Sequence, residues 1–445
     1  MPGPQGIREG EVMPIFYGWW VVSGLFFATF FGTWGRYIVA ALIGFIHEDA
    51  GWTATQVNLS ISIALWVYAV AVVLVGRLVD TWGGRRVIIT GSVLLSLGFI
   101  GLSLVTTLVQ LYLVHGVLLA VACAMTHAVP TQAVARKWFI KRSGLVGGLL
   151  ASGFAISQSL LAPLLTYGAS IWTWRTVSLA AASFGLIVFV LALLLIRDTP
   201  ESMGLRPYGA EDLQQRPVGT PTAAGEVQVP VTQALHTTAF WAMFFAYGFL
   251  AVPLQGVLSN IVNWGNAVGI SMAGAGLAAT AMHLSAILGK MLWGALGDRL
   301  GKRLVQAAGH GLCLLIMLGG WLWVHDPPSL YVFAVFFGLS YGVGISLIAP
   351  YLGDLFGRQS VASLFGIVTA AHGFIGGFGP LLWGVIFDAT GTYNMAALTS
   401  VGIYILVIIC FYLARPNQLT GRLLPHPLHP HLLDLPGQIC HQRKQ

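Results

Sequence analysis

Lys290 sits inside the apolar run Ala281–Arg303 (AMHLSAILGKMLWGALGDRLGKR), eight residues before Asp298. On a helix that separation is about 12 Å, at roughly 1.5 Å per residue. If the run crosses a bilayer, an ammonium at that depth costs about 2.5–3.5 kcal/mol, so it is expected to face an aqueous cavity and a ligand rather than lipid. His283 lies seven residues earlier, two turns away and on nearly the same face. Arg36 falls near the outer end of a second apolar run, and His127 and His372 fall within two others. Imidazole changes charge near neutral pH, so any of the three histidines could carry a proton. The chemistry on offer is anion binding beside a titratable ring.

The acids point the same way. All fifteen Asp and Glu residues lie in loops, termini or helix ends, leaving nothing negative within the spans to neutralise Arg36 or Lys290. A buried cation without a partner is expensive, and the substrate is then the expected partner. This favours an anion over a cationic drug or a cation-coupled sugar. Neutral groups complete the candidate cavity. Asn260 and Asn263 are three apart on one helix, Gln255 lies further up it, and Tyr341 could donate to a carboxylate; Gln158 is a weaker candidate. Each of these, like each histidine, could instead bond between helices, His115 and His310 read as packing or interfacial, and Lys290 could extend towards the water. Trp19, Trp20 and Trp174 read as an interfacial belt.

The elements that must position these residues are membrane helices. The 445 residues are 56% hydrophobic and 8% charged, with a mean hydropathy of +0.80, where a soluble domain carries about 25% charge. Apolar runs long enough to cross ~30 Å of hydrocarbon occupy residues 16–44, 56–77, 87–108, 111–134, 144–169 and 175–196, then 238–262, 271–295, 304–324, 329–352, 361–387 and 393–414. The fold class is therefore all-α: twelve spans in two sets of six. A short segment (1–15) precedes the first bundle (16–196), a Pro-, Gly- and charge-rich linker (197–236) joins it to the second (237–414), and a tail (415–445) with His426, His429 and His431 reads as disordered rather than metal-binding. The net charge of +7 sits in short loops and not on one module, which argues against nucleic acid. Nineteen of the 22 basic residues lie in the N-terminal segment, even-to-odd loops, linker or tail, so both termini are expected in the cytoplasm. The four cysteines have no paired spacing. No signal peptide, metal site or cofactor is expected, and no phosphate loop, G-x-S-x-G, H-E-x-x-H or C-x-x-C pattern suggests an enzyme.

The halves repeat. Gly76, Asp80, Gly83 and Arg85 after the second span match Gly294, Asp298, Gly301 and the basic Arg299–Arg303 stretch after the eighth, offset by 218 residues, and Pro163 and Pro380 share nearly that offset. Such halves suit a transporter that rocks about a site at their interface. The G-x-L-x-D-x-x-G-x-[RK] loop resembles that of the major facilitator superfamily, over residues 16–414, and the resemblance implies a gating or structural role for Asp80 and Asp298. Within it, Tyr17-Gly-Trp19-Trp20, the run Trp138-Phe139-Ile-Lys141-Arg142-Ser-Gly-Leu145 after Pro130, and Thr199-Pro-Glu201 through Gly209 resemble the monocarboxylate porters and oxalate–formate antiporters. That resemblance implies a substrate-gripping cation at Lys290, a second at Arg36, and a basic position at His372. Two departures stand out: lysine replaces the porters' arginine, losing its planar fork, and Ala286 replaces an aspartate one turn earlier.

The expected function is proton-coupled carriage of a small carboxylate such as lactate or pyruvate, by rocking of two bundles in the cytoplasmic membrane. The expected partners are that carboxylate, protons and lipid; nothing in the sequence sets an oligomeric state. Obligate anion exchange and a non-transporting sensor on the same fold are the alternatives, with broad drug efflux a weaker one.

Overall fold

The computed structural model describes residues 16–139, 142–210, 229–356 and 361–414. Residues 211–228 of the linker, the tail with His426, His429 and His431, and the side chain of Asp298 lie outside the described residues. Among the described residues, twelve helices are long and apolar enough to cross a membrane. They are α1 (Gly18–Ala50), α2 (Ala54–Trp82), α3 (Gly84–Ser103), α4 (Leu108–Trp138), α5 (Ser143–Ile171), α6 (Trp174–Leu194), α7 (Thr238–Ala267), α8 (Met272–Leu300), α9 (Lys302–Trp323), α10 (Pro327–Phe356), α11 (Leu364–Thr390) and α12 (Asn394–Leu413). Each corresponds to one expected span. α1 runs beyond its expected end to Ala50, so Arg36 lies near its middle rather than near its outer end.

Packing obeys the repeat. Within the first half α3 lies on α6, α2 on α4 and α1 on α5; within the second α9 lies on α12, α8 on α10 and α7 on α11. The loops after α2 and α8 use the repeated residues alike. Gly83 and Gly301 end those helices at φ +86° and +88°, a conformation side chains rarely adopt. Arg85 donates from Nη2 to the carbonyl of Leu193 at 2.8 Å, and Arg303 to that of Tyr412 at 2.9 Å. In each half an arginine thus holds the carbonyl end of the last helix, where a cation is favoured. Arg299, by contrast, is exposed and bonds to no described residue. The acid that ties the first loop down is also not the expected one. Asp80 is exposed with no described partner, whereas Asp198 accepts from the backbone N–H of Arg85 at 2.8 Å and caps α3.

The bundles meet on two seams at the end opposite these loops. Along α11, the Asp388 carboxylate accepts from the N–H groups of Ala54 (3.1 Å) and Thr55 (2.8 Å), which open α2. Gly384 rests on the Ala54 backbone, the Leu381 N–H donates to Ser62 at 3.2 Å, and the Trp66 indole donates to the Phe374 carbonyl at 2.9 Å. On the second seam Gly276 of α8 backs onto Ala162 and Thr166 of α5, and Thr280 donates to the Ser159 carbonyl at 2.7 Å. Towards the basic loops α2 and α11 part. An apolar cleft of about 690 Å³ lies between α2 on one side and α7 and α11 on the other. A Cβ added at Gly76 (α2), Gly148 (α5), Gly294 (α8) or Gly366 (α11) would meet nothing within 4 Å. Gly76 with Gly294, and Gly148 with Gly366, are each 218 residues apart, so these open positions follow the repeat.

The three short runs that carry the porter resemblance converge. Tyr17 packs on Trp138 (centroids 5.8 Å), Trp19 on Phe139 (5.0 Å) and Phe139 on Tyr208 (5.7 Å). The Trp138 indole donates to the Arg197 carbonyl at 2.8 Å, and Tyr208 N–H to the Trp138 carbonyl at 2.9 Å. Trp19 is thus part of a packed cluster. Trp174 is no belt residue either: it is buried and donates to Asp49 at 2.9 Å.

Candidate functional site

A cavity of about 170 Å³ lies where the two bundles face each other. α1 supplies Arg36 and Tyr37, and α5 supplies Phe154, Ala155 and Gln158. From the other bundle come Leu254, Gln255 and Leu258 (α7), His283 and Lys290 (α8), Tyr341 (α10) and His372 (α11). The volume far exceeds the roughly 10–15 Å³ needed for one water and falls below the roughly 300–1,000 Å³ of drug-sized pockets. The space suits a molecule of a few heavy atoms.

Both cations are held from behind. Lys290 is half-buried on α8, where Gly342 of α10 lets the helix backbones meet and Ser346 donates to the Lys290 carbonyl at 3.0 Å. Its ammonium forms no hydrogen bond or ion pair with a described residue. The position one turn earlier is Ala286, fully buried, so no carboxylate can approach from there. The Arg36 guanidinium lies over the rings of Tyr68 (4.7 Å) and Tyr37 (5.1 Å), a cation–π cradle that leaves its positive charge uncancelled. Its Nε is buried and bonds to no described residue.

The seven-residue spacing of His283 and Lys290 does put both on one face, and both line the cavity. His372 Nδ1 lies 3.2 Å from the Tyr247 carbonyl. A carbonyl only accepts, so Nδ1 carries the hydrogen, and in the neutral ring Nε2 is the basic nitrogen. His127 does not line the cavity. It pairs with the Tyr68 hydroxyl at 3.1 Å and packs against Phe154, behind Arg36, at a break in α4 where its ψ is −149°. Pro130 explains the break, since it offers no N–H to the Thr126 carbonyl four residues back. His115, read as packing, bridges α4 to α2 and α1 through Ser60 (3.2 Å) and the Arg36 carbonyl (3.3 Å). His310 is likewise buried and bonds the Gln306 carbonyl.

Asn260 and Asn263 belong elsewhere. Asn260 accepts from Asn58 of the other bundle at 2.9 Å, and Asn263 donates to the Tyr393 hydroxyl at 2.9 Å. Asn260 thus ties the two bundles together and Asn263 bonds within its own bundle; neither lines the cavity. Gln255 and Gln158, given less weight from sequence, take the lining positions. Helical geometry separates the two sets: five residues from Gln255 to Asn260 turn α7 by about 140°.

A family model described as Major Facilitator Superfamily matches residues 25–264 and 243–443. The chain belongs to the Major Facilitator Superfamily. Similar members of it include the mouse protein named Monocarboxylate transporter 12, 26% identical over 332 residues, or 70% of this chain and 67% of that one. The Xenopus laevis protein of the same name is 26% identical over 92% of this chain and 91% of its own length. Human Monocarboxylate transporter 11 is 27% identical over 96% and 91%. Among solved superfamily structures, a bacterial homologue of the human lysosomal transporter Spinster, in an inward-facing and occupied conformation, superposes with a TM-score of 0.72 at 15% identity, covering 92% of this chain and 97% of that one. These relatives are transporters, and this superfamily member is a multi-pass membrane transporter rather than an enzyme.

Proposed function

We propose that this protein carries small monocarboxylates, such as lactate or pyruvate, across the cytoplasmic membrane together with a proton. One observation carries the reading: Arg36 and Lys290 enter one small cavity from opposite bundles, and no acid is among the described residues that line it. A carboxylate there offers one oxygen to each cation, cancels one of the two charges and draws the bundles together. The names of the similar transporters support the substrate class. His372 takes the proton on Nε2, which turns that nitrogen from an acceptor into a donor for the same carboxylate; His283, beside Lys290, is the second candidate. Tyr341 adds a neutral donor. His127 reaches the site through Tyr68 and Arg36.

The basic loops then face the cytoplasm, as the lysine and arginine bias supports, and the closed seams of α2–α11 and α5–α8 face outward. Transport consists of parting those seams while Gly76, Gly148, Gly294 and Gly366 close the opposite end. Asp80 and Asp298 act on the loops of that end. Ala286 favours a second reading, anion exchange without a proton, because no carboxylate stands beside Lys290 to relay one. Uptake by proteoliposomes separates the two. Proton coupling requires stimulation of lactate uptake by an imposed acid-outside gradient with empty vesicles; uptake that needs a preloaded anion and ignores the gradient assigns exchange.

A further inference from the structure

Among the residues that line the cavity, two buried polar atoms meet no partner in the described residues, and they have opposite hydrogen-bonding sense. One is Arg36 Nε, a donor; the other is Gln255 Oε1, an acceptor. Gln255 is only 5% exposed. It lines the cavity beside Tyr37 and Gln158, and its carbonyl oxygen meets no donor among the described residues. A buried carbonyl without a donor is costly, and such a group discriminates by what its ligand supplies.

A carboxylate satisfies Arg36 and Lys290 but has no hydrogen to give Gln255. A ligand that satisfies both orphans bears a carboxylate and a separate donor. An ammonium would add a third cation beside two, so a neutral hydroxyl is the donor that fits. Leu254 and Leu258, which line the cavity on the same face of α7 as Gln255, leave room for carbon and not for a second charge. We propose that Gln255 reads a hydroxyl on the substrate and makes this cavity selective for short hydroxy monocarboxylates over unsubstituted and keto acids of the same length. This rests on the reading of the cavity as a carboxylate site.

The test measures uptake of labelled lactate, propionate and pyruvate side by side in proteoliposomes of the full-length protein and of Gln255→Leu. In the unaltered protein lactate should be favoured over propionate about tenfold, the worth of one hydrogen bond of ordinary strength, and over pyruvate in the same direction. In Gln255→Leu the ratios should fall to about one. Equal uptake of lactate and propionate by the unaltered protein overturns the inference even if the variant does not fold. So does a lactate preference that survives in the folded variant, or a pyruvate preference in the unaltered protein. Uptake of none of the three sinks the carboxylate reading itself, a separate and recognisable result.

Discussion

Arg36 and Lys290 lie on helices of different bundles, line the same cavity, and meet no carboxylate among the described residues. A fixed acid in the cavity would satisfy the cations permanently; its absence leaves that part to a mobile anion. The positions of the other groups follow from how the helices around these two residues are held.

The glycines that end α2 and α8 should be intolerant of side chains. Gly83→Ala and Gly301→Ala each place a Cβ at φ +86° or +88°, at about 1–3 kcal/mol. Gly83→Ala should cost more, because its Cβ would also meet Asp198 Oδ2 at 2.7 Å, while Gly301 faces open space. Thermal unfolding in detergent measures both, with Gly148→Ala, on a regular helix in open space, expected near neutral.

The outward seam should depend on Asp388. Its carboxylate bonds two N–H groups that open a helix of the other bundle, an anion at a helix N-terminus worth about 0.3–1 kcal/mol. Asp388→Asn should raise the fraction of molecules open at that end by roughly twofold to fivefold. Reactivity of a cysteine placed at Tyr37 towards an impermeant thiol reagent reads this directly; unchanged reactivity contradicts the seam.

Asn58 and Asn260 should couple across the bundles. Both are fully buried and bonded to each other at 2.9 Å, so Asn58→Ala and Asn260→Ala should be non-additive by about 0.5–3 kcal/mol. Additive effects on unfolding or on opening would restore Asn260 as the substrate contact that its place in the sequence suggests.

Proton coupling should be lost at His372. With Nδ1 tied to the Tyr247 carbonyl, Nε2 alone gains the proton, and uptake should rise as external pH falls. His372→Gln should flatten that dependence while counterflow exchange persists. A pH response retained in the variant moves the role to His283.

The fold was legible because its signals are one-dimensional. Run length gave the twelve spans, and the 218-residue offset gave the two halves. Lys290 was legible because a cation deep in an apolar run must reach water or a ligand, and His283 because seven residues return a helix to the same face. Less legible were choices set by helix rotation. Asn260 and Gln255 are both polar residues of α7, and only their angular separation relative to α1 and α2 decides which lines the cavity. Least legible were tertiary partners. Asp198 caps α3 from beyond α6, and the clustering of Tyr17, Trp138 and Tyr208 joins residues far apart in the chain, so no local pattern marks either. Asp80 was conspicuous as half of a repeated motif, yet with the basic end open it bonds to no described residue.

Lactate uptake by proteoliposomes containing Lys290→Gln tests the central claim most directly, with Lys290→Arg alongside and folding checked by thermal unfolding. Loss of uptake to background in the glutamine variant, with measurable uptake kept by arginine, is the predicted result. Uptake by a folded Lys290→Gln protein at the unaltered rate would contradict the account.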